Sequence, residues 1–245
     1  MKRYGLIGFP LAHSFSKQYF ERKFVTGHIA DCSYENFEIE NVLDFKSVIS
    51  AHKLDGLNVT IPHKESVLPL LDNLSDEAKE IGAVNCIRII DGVTSGYNTD
   101  AYGFEMSIKP FLENKYERAL VLGTGGASQA ICYVLKKWGI EYHLVSRKPG
   151  NARVITYDQL SADSMKHFQL IINTTPVGTF PNVDAAPPIP YEAVGAMHFL
   201  YDLVYNPAQT LFLKRGLEAG AHTMNGLKML ELQAERSWQI WQQEA

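Results

Sequence analysis

Residues 119–139 read ALVLGTGGASQAICYVLKKWG, and their order decides the fold. The apolar run Ala119–Leu122 has the length of a short buried strand. It passes directly into Gly123-Thr124-Gly125-Gly126. The residues beyond place Ile131, Val134, Leu135 and Trp138 on one helical face until Gly139 stops the pattern. A glycine-rich turn from strand to helix lets backbone N–H groups approach a pyrophosphate at the helix N-terminus, where the dipole favours negative charge. The form is Gly123-x-Gly125-Gly126-Ala127-x-x-Ala130 rather than strict GxGxxG. Ala127 and Ala130 supply the small side chains that close helix–strand packing requires. Taken alone, the glycines also fit a turn with no ligand.

Downstream, Tyr142–Val145, Phe168–Asn173 and Phe199–Val204 read as further strands, and Asn206-Pro207 opens a helix that ends at Gly220. Strands separated by helices predict a parallel sheet with helices on both faces. The strand Tyr142–Val145 ends in Ser146-Arg147-Lys148, where an NAD site usually carries an acid for the ribose hydroxyls. A basic pair suits a 2′-phosphate instead, through charge and the stacking face of arginine, and so favours NADP. A solvated basic turn is the competing reading.

Upstream the same alternation holds. Tyr4–Gly8 reads as a strand, and Ser16 N-caps a helix that ends at Gly27. Tyr34, Phe37 and Ile39 lie in a second strand, after which Asn41 opens a helix with Val42, Phe45, Val48 and Ile49. Gly56–Thr60 is a third strand, followed by a helix led by Pro62, with Lys64 just inside it. Asn85–Ile90 and Val93–Tyr97 flank Asp91-Gly92, a strong hairpin signal. From Thr99 a helix leads into the second half. The last helix, Leu227–Trp241, has no strand after it and is expected to pack back on the first half. Trp238 and Trp241 read as its packing surface.

Composition bounds the function. At 245 residues the chain has room for one to two domains. A net charge of −4 argues against nucleic-acid binding, and no apolar run reaches the roughly 18 residues that a membrane span needs. Three scattered cysteines, Cys32, Cys86 and Cys132, form no disulfide framework, which suits a reducing, cytoplasmic setting. His13 and His63 have no zinc spacing around them, so no metal is expected.

The first half holds a polar set: Ser14, Ser16, Asn58, Thr60, Lys64, Asn85 and the run Asn98-Thr99-Asp100. Hydroxyls, amides and an ammonium converging at strand ends suit a small polyhydroxylated anion. A carboxylate beside Lys64 would keep the ammonium charged and aim its proton. That is what a carbonyl oxygen needs while hydride arrives at its carbon. Ordinary roles compete here too: an N-cap for Ser16 and a first-turn acid for Asp100.

In order along the chain come Ser14-x-Ser16, Asn58-Val59-Thr60-x-Pro62-x-Lys64, Gly82-Ala83-Val84-Asn85 and Asn98-Thr99-Asp100-x-x-Gly103. They are followed by Gly123-x-Gly125-Gly126-Ala127, Asn173-Thr174-Thr175-Pro176-x-Gly178, Asp202-x-x-Tyr205-x-Pro207 and Gln233. On these eight motifs the chain resembles the shikimate dehydrogenase family over essentially its whole length. The resemblance implies a two-domain α/β fold. Residues 1–99, completed by the helix 227–245, would be the substrate domain, and residues 100–226 a Rossmann-like NADP-binding domain with a parallel sheet. It implies reversible reduction of 3-dehydroshikimate to shikimate by NADPH, a step of aromatic amino-acid biosynthesis, in a monomer or homodimer.

The family's roles carry over residue by residue. Lys64 with Asp100 would be the proton-transfer pair. Ser14, Ser16 and Thr60 would bind the substrate carboxylate, and Asn58, Asn85, Asp100 and Gln233 the ring hydroxyls, with Tyr205 near the ring. Gly123, Gly125, Gly126, Ala127, Ser146, Arg147, Lys148, Thr174 and Met224 would line the cofactor. Three positions depart from the family pattern: Cys86 for the commoner Thr, Ser146 for the frequent Asn, and Thr223-Met224-Asn225-Gly226 for an Asp-Gly pair. Three other readings compete. A relative acting on quinate with NAD is disfavoured by Arg147 and Lys148. A non-catalytic sensor has no need of Lys64 with Asp100, and a folate-pathway dehydrogenase should lack the Ser14-x-Ser16 pair.

Overall fold

The alternation of strand and helix is borne out in a computed structural model, which describes residues 1–11, 14–112, 116–150 and 152–243. His13 lies outside the described residues, as do the last two residues of the terminal segment. The first half runs β1 (Lys2–Gly8), α1 (Phe15–Thr26), β2 (Cys32–Glu38), α2 (Phe45–His52), β3 (Gly56–Val59), β4 (Asn73–Leu74), α3 (Asp76–Ile81), β5 (Cys86–Ile90) and β6 (Val93–Tyr97). There follow α4 (Thr99–Ile108), β7 (Arg118–Leu122), α5 (Gly126–Lys137), β8 (Glu141–Ser146), β9 (Val154–Thr156) and α6 (Ala162–Met165). The chain ends with β10 (Leu170–Asn173), β11 (Phe199–Asp202), α7 (Leu211–Glu218), β12 (His222–Met224) and α8 (Leu227–Trp241). Met1–Thr99 with Gln233–Ala245 form one compact unit and Asp100–Leu232 the other, the division falling inside α8. Among the described residues no helix is long and apolar enough to cross a membrane.

The first unit is built on a mixed sheet of order β2-β1-β3-β5-β6-β4. Strand alternation sorts its two faces. Ile7, Leu57, Val59 and Ile87 pack with Phe45 of α2, while Tyr4, Leu6 and Cys86 pack with α1 and α8. The terminal helix is anchored by Trp241, which stacks on Tyr4 at 4.7 Å and donates Nε1–H to the Ile87 carbonyl at 2.9 Å. Lys23 and Tyr19 of α1 both bond to Glu235 of α8, the lysine at 2.7 Å. The hairpin between β5 and β6 forms at Asp91 and Gly92, whose φ values of 50° and 82° match the two left-handed positions of a type I′ turn.

The second unit carries a wholly parallel sheet of order β12-β11-β10-β7-β8-β9. Leu120, Ile171 and Leu200 lie in register on one face and pack against Phe212 and Leu213 of α7. Ile172 and Tyr201 face the other way, where Phe104 of α4 meets the Tyr201 ring edge-on at 5.3 Å. Helices therefore cover both faces, as βαβ connections require.

Three helix starts differ from the sequence expectation. α1 begins at Phe15 with Ser14, not Ser16, at the N-cap position, because Phe15 joins the helix and packs on Tyr19 one turn later at 5.5 Å. No α-helix follows Pro62, so Lys64 does not sit in one. Residues 60–63 form a turn closed by His63 N–H on the Thr60 carbonyl at 2.9 Å, and the Lys64 carbonyl accepts from Val84 at 2.8 Å. Only a short 3-10 turn at Leu68–Leu70 appears there. α7 starts at Leu211 rather than Pro207. Thr210 caps it, and the Asn206 carbonyl is occupied by Phe180 N–H at 3.1 Å.

Candidate active site

In the first unit, the ends of β3 and β5 and one turn of α8 bring amides and hydroxyls together. Asn58 is buried, and its Nδ2 donates to the Asn85 carbonyl at 3.1 Å and to Ser237 Oγ at 2.9 Å. Its Oδ1 accepts from the Tyr34 hydroxyl at 2.9 Å. Both amide protons are spent, so toward a ligand Asn58 offers an acceptor. The Asn85 side chain accepts from Thr99 N–H at 2.6 Å and donates to Thr99 Oγ1 at 3.0 Å and to Gln233 Oε1 at 3.4 Å. Asn58, Asn85 and Gln233, far apart in sequence, thus share one buried network. Ser16 joins it through Tyr34. Burial holds that phenol well above its usual range, and the hydrogen bond with Ser16 offsets this only in part.

Ser14 is half-buried at the head of α1, and its side chain makes no capping bond. Thr60 closes the end of β3, with its N–H on the Ile7 carbonyl at 2.9 Å. Gly8 lies directly against the Thr60 methyl, and a β-carbon there would collide with it. Lys64 is half-buried and follows His63, whose imidazole is buried with Nε2 2.7 Å from the Ile39 carbonyl. The predicted helix terminus beside that imidazole is absent. Lys64 is instead placed by a turn fixed at both ends.

In the second unit the predicted cofactor residues follow the parallel strands at their carboxyl ends: Gly123 after β7, Ser146 closing β8, Thr174 after β10 and Met224 closing β12. This is the edge at which open parallel sheets hold their ligands. Chain order reverses there, since β7 lies between β8 and β10. Gly123 adopts φ 114°, a region that side chains disfavour, and a β-carbon would stand 2.6 Å from Thr174 Oγ1. Thr174 donates its hydroxyl to the Leu122 carbonyl at 2.7 Å, fixing that approach. Gly125 caps α5, and a β-carbon on it would meet nothing within 4 Å, so the turn has room for a ligand. Gly126 and Ala127 open α5, whose first turn carries no acid and whose last turn carries Lys136 and Lys137. Its positive end is thus left without a carboxylate of its own.

Arg147 and Lys148 are exposed beyond β8, with Lys148 N–H on Ser146 Oγ at 3.2 Å. Tyr205 is half-buried after β11, and burial raises its phenol. Asp100 is buried in the first turn of α4. Among the described residues no three His, Cys, Asp or Glu gather as metal ligands.

Sequence reasoning missed Thr99 and Ser237 as partners of the amides. Thr99 stood inside a quoted motif, and Ser237 lies one helical turn beyond Gln233, a spacing that places both on one face. It also missed how Asp202 is held. This fully buried carboxylate accepts from Asn173 Nδ2 at 2.9 Å, Val204 N–H at 3.0 Å and the Thr210 hydroxyl at 2.6 Å.

A family model described as the shikimate dehydrogenase substrate binding domain matches residues 6–87. A shikimate dehydrogenase (NADP(+)) of Methanococcus maripaludis is 37% identical over 259 residues, covering 98% of this chain and 91% of the relative. The solved shikimate dehydrogenase 1 of Peptoclostridium difficile is similar with TM-score 0.86 and 38% identity, over 99% of this chain and 92% of that one. Shikimate 5-dehydrogenase of Thermus thermophilus, solved in complex with NADP(H) and shikimate, gives TM-score 0.86 at 31% identity over 99% and 94%.

Proposed function

This chain belongs to the shikimate dehydrogenase family, and from that premise we propose that Lys64 and Asp100 move the proton in an NADP-dependent interconversion of 3-dehydroshikimate and shikimate. The observation that carries the site assignment is the buried network of Asn58, Asn85 and Gln233 in one unit. It is a row of fixed polar groups that suits a ring bearing several hydroxyls. Bound NADPH supplies the hydride. The Lys64 ammonium gives its proton to the carbonyl oxygen during reduction, and its neutral form takes that proton back in the reverse direction. Asp100 is the carboxylate assigned to that transfer as the partner of Lys64. Ser14, Ser16 and Thr60 provide hydroxyls for the substrate carboxylate, and Tyr205 is assigned to the substrate ring. Gly123 to Ala127 receive the pyrophosphate, Arg147 and Lys148 the 2′-phosphate, and Thr174 and Met224 complete the cofactor side. Dependence on NADPH and three unpaired cysteines fit a cytoplasmic enzyme.

The test is to mix the protein with shikimate or quinate, each with NADP or NAD, and follow nicotinamide absorbance. Reduction of NADP with shikimate is expected. Silence in all four mixtures, with shikimate still binding by calorimetry, would make the chain a binder and not an enzyme.

The cofactor preference has its own expected result. Arg147→Ala raises KM for NADP on the order of tenfold, the size of a charge-assisted phosphate contact, and leaves KM for NAD nearly unchanged. Equal changes in the two constants would remove Arg147 from phosphate recognition.

A further inference from the structure

Ser237 belongs to none of the motifs, yet three polar groups from three elements converge on its hydroxyl. It is fully buried on α8. Its Oγ lies 3.0 Å from the Gln233 carbonyl, 2.9 Å from Asn58 Nδ2 and 3.2 Å from Thr99 Oγ1. A serine hydroxyl has one proton and two lone pairs. The carbonyl can only accept and the amide Nδ2 can only donate. Ser237 therefore gives its proton to Gln233 and accepts from Asn58, which leaves its second lone pair for the Thr99 hydroxyl. Thr99, donating there, turns its own lone pairs to Asn85 Nδ2 at 3.0 Å. One hydroxyl thus sets the direction of the chain that runs from Ser237 through the Thr99 hydroxyl to the Asn85 amide, beside the direct bond from Asn85 Nδ2 to Gln233 Oε1. The neighbouring Cys86 thiol, pushed up to about 12 by burial, is too weak a partner to take its place.

We propose that Ser237 is a positioning residue for the substrate. It holds the Asn58 amide directly, and the Asn85 amide through Thr99, in the orientation that meets the ring hydroxyls. This rests on the substrate reading above, and Ser237 itself touches no ligand. Without its hydroxyl, a buried Asn58 proton loses its acceptor. The Thr99 hydroxyl then turns its proton to Asn85 Oδ1, 3.2 Å away, or to Gln233 Oε1, 3.4 Å away, where it competes with the bonds that Thr99 N–H and Asn85 Nδ2 make to those oxygens. Asn58 is left with a stranded donor and Asn85 with a hydroxyl neighbour that is no longer fixed, so both amides are held less firmly where they would receive substrate.

Steady-state kinetics on two variants test this. Ser237→Ala is expected to raise KM for shikimate about tenfold, the effect of one stranded buried donor, with kcat within about threefold and KM for NADP unchanged. Ser237→Cys refills the volume with a weak hydrogen-bonding group, and so is expected to behave as Ser237→Ala does. A serine that merely fills space predicts the opposite: wild-type KM in Ser237→Cys, and a loss in Ser237→Ala confined to thermal stability. Either a wild-type KM in Ser237→Ala or its recovery in Ser237→Cys overturns the proposal while the wild type still oxidises shikimate. A wild type inactive on shikimate overturns the substrate reading, and this inference with it.

Discussion

Lys64→Ala is expected to lower kcat for shikimate oxidation by about two to four decades, the range for loss of a positioned general acid–base group. The shikimate dissociation constant should change little, because the hydroxyls and amides that would hold the ring stay in place. The argument rests on how Lys64 is placed. The Lys64 carbonyl accepts from Val84 N–H, next in sequence to Asn85, and the preceding His63 is pinned to Ile39. Removing the Lys64 side chain leaves those backbone contacts untouched, so the loss reports chemistry and not misfolding. Steady-state turnover, read beside calorimetric binding of shikimate, separates the two. Wild-type kcat would remove Lys64 from proton transfer, and a large loss of binding with kcat intact would make it a substrate anchor.

How far sequence reading reached depended on where the deciding hydrogen bonds lie. The strand, glycine turn and helix of residues 119–139 were legible because each signal is local: a buried apolar run, a residue at φ 114°, a helical face ending near Gly139. The same holds for Asp91-Gly92. The helix expected after Pro62 fails for the opposite reason. Pro62 is compatible with a first helical turn, but His63 and Lys64 spend their polar groups on Ile39 and Val84, far away in sequence. Pro207 misled in the same way, since Asn206 is engaged by Phe180 and the true cap, Thr210, is held by Asp202. In the polar network, Asn58, Asn85 and Gln233 were legible as motif residues. Ser237 was not, because on its own it is one serine on an amphipathic helix, and its partners Asn58 and Thr99 come from β3 and the start of α4, far away in sequence.

Asp202→Ala is expected to cost about 3–5 kcal/mol of stability at neutral pH, because three buried donors lose their acceptor at once. These are Asn173 Nδ2, Val204 N–H and the Thr210 hydroxyl. For a chain of this size that corresponds to a fall in Tm of about 10 °C. The loss reaches the cofactor edge, since Asn173 also accepts from the Thr175 hydroxyl at 2.6 Å and so orders the segment that starts at Thr174. The pH dependence gives an independent check. Burial pushes the Asp202 carboxyl up to about 6, and the bonds from Thr210, Val204 and Asn173 pull it back only in part. Its folded pKa thus lies above the unfolded value of 3.8, and between those pH values the folded chain holds the extra proton. Stability from this group rises as pH falls through 6, by about 1 kcal/mol from pH 7 to pH 5. The alanine variant has no such gain, so the gap between the two proteins should widen on acidification. Urea denaturation of both at pH 7 and pH 5 measures it. A gap that narrows toward pH 5 would mean that Asp202 is held as a stabilised anion, its three donors outweighing its burial.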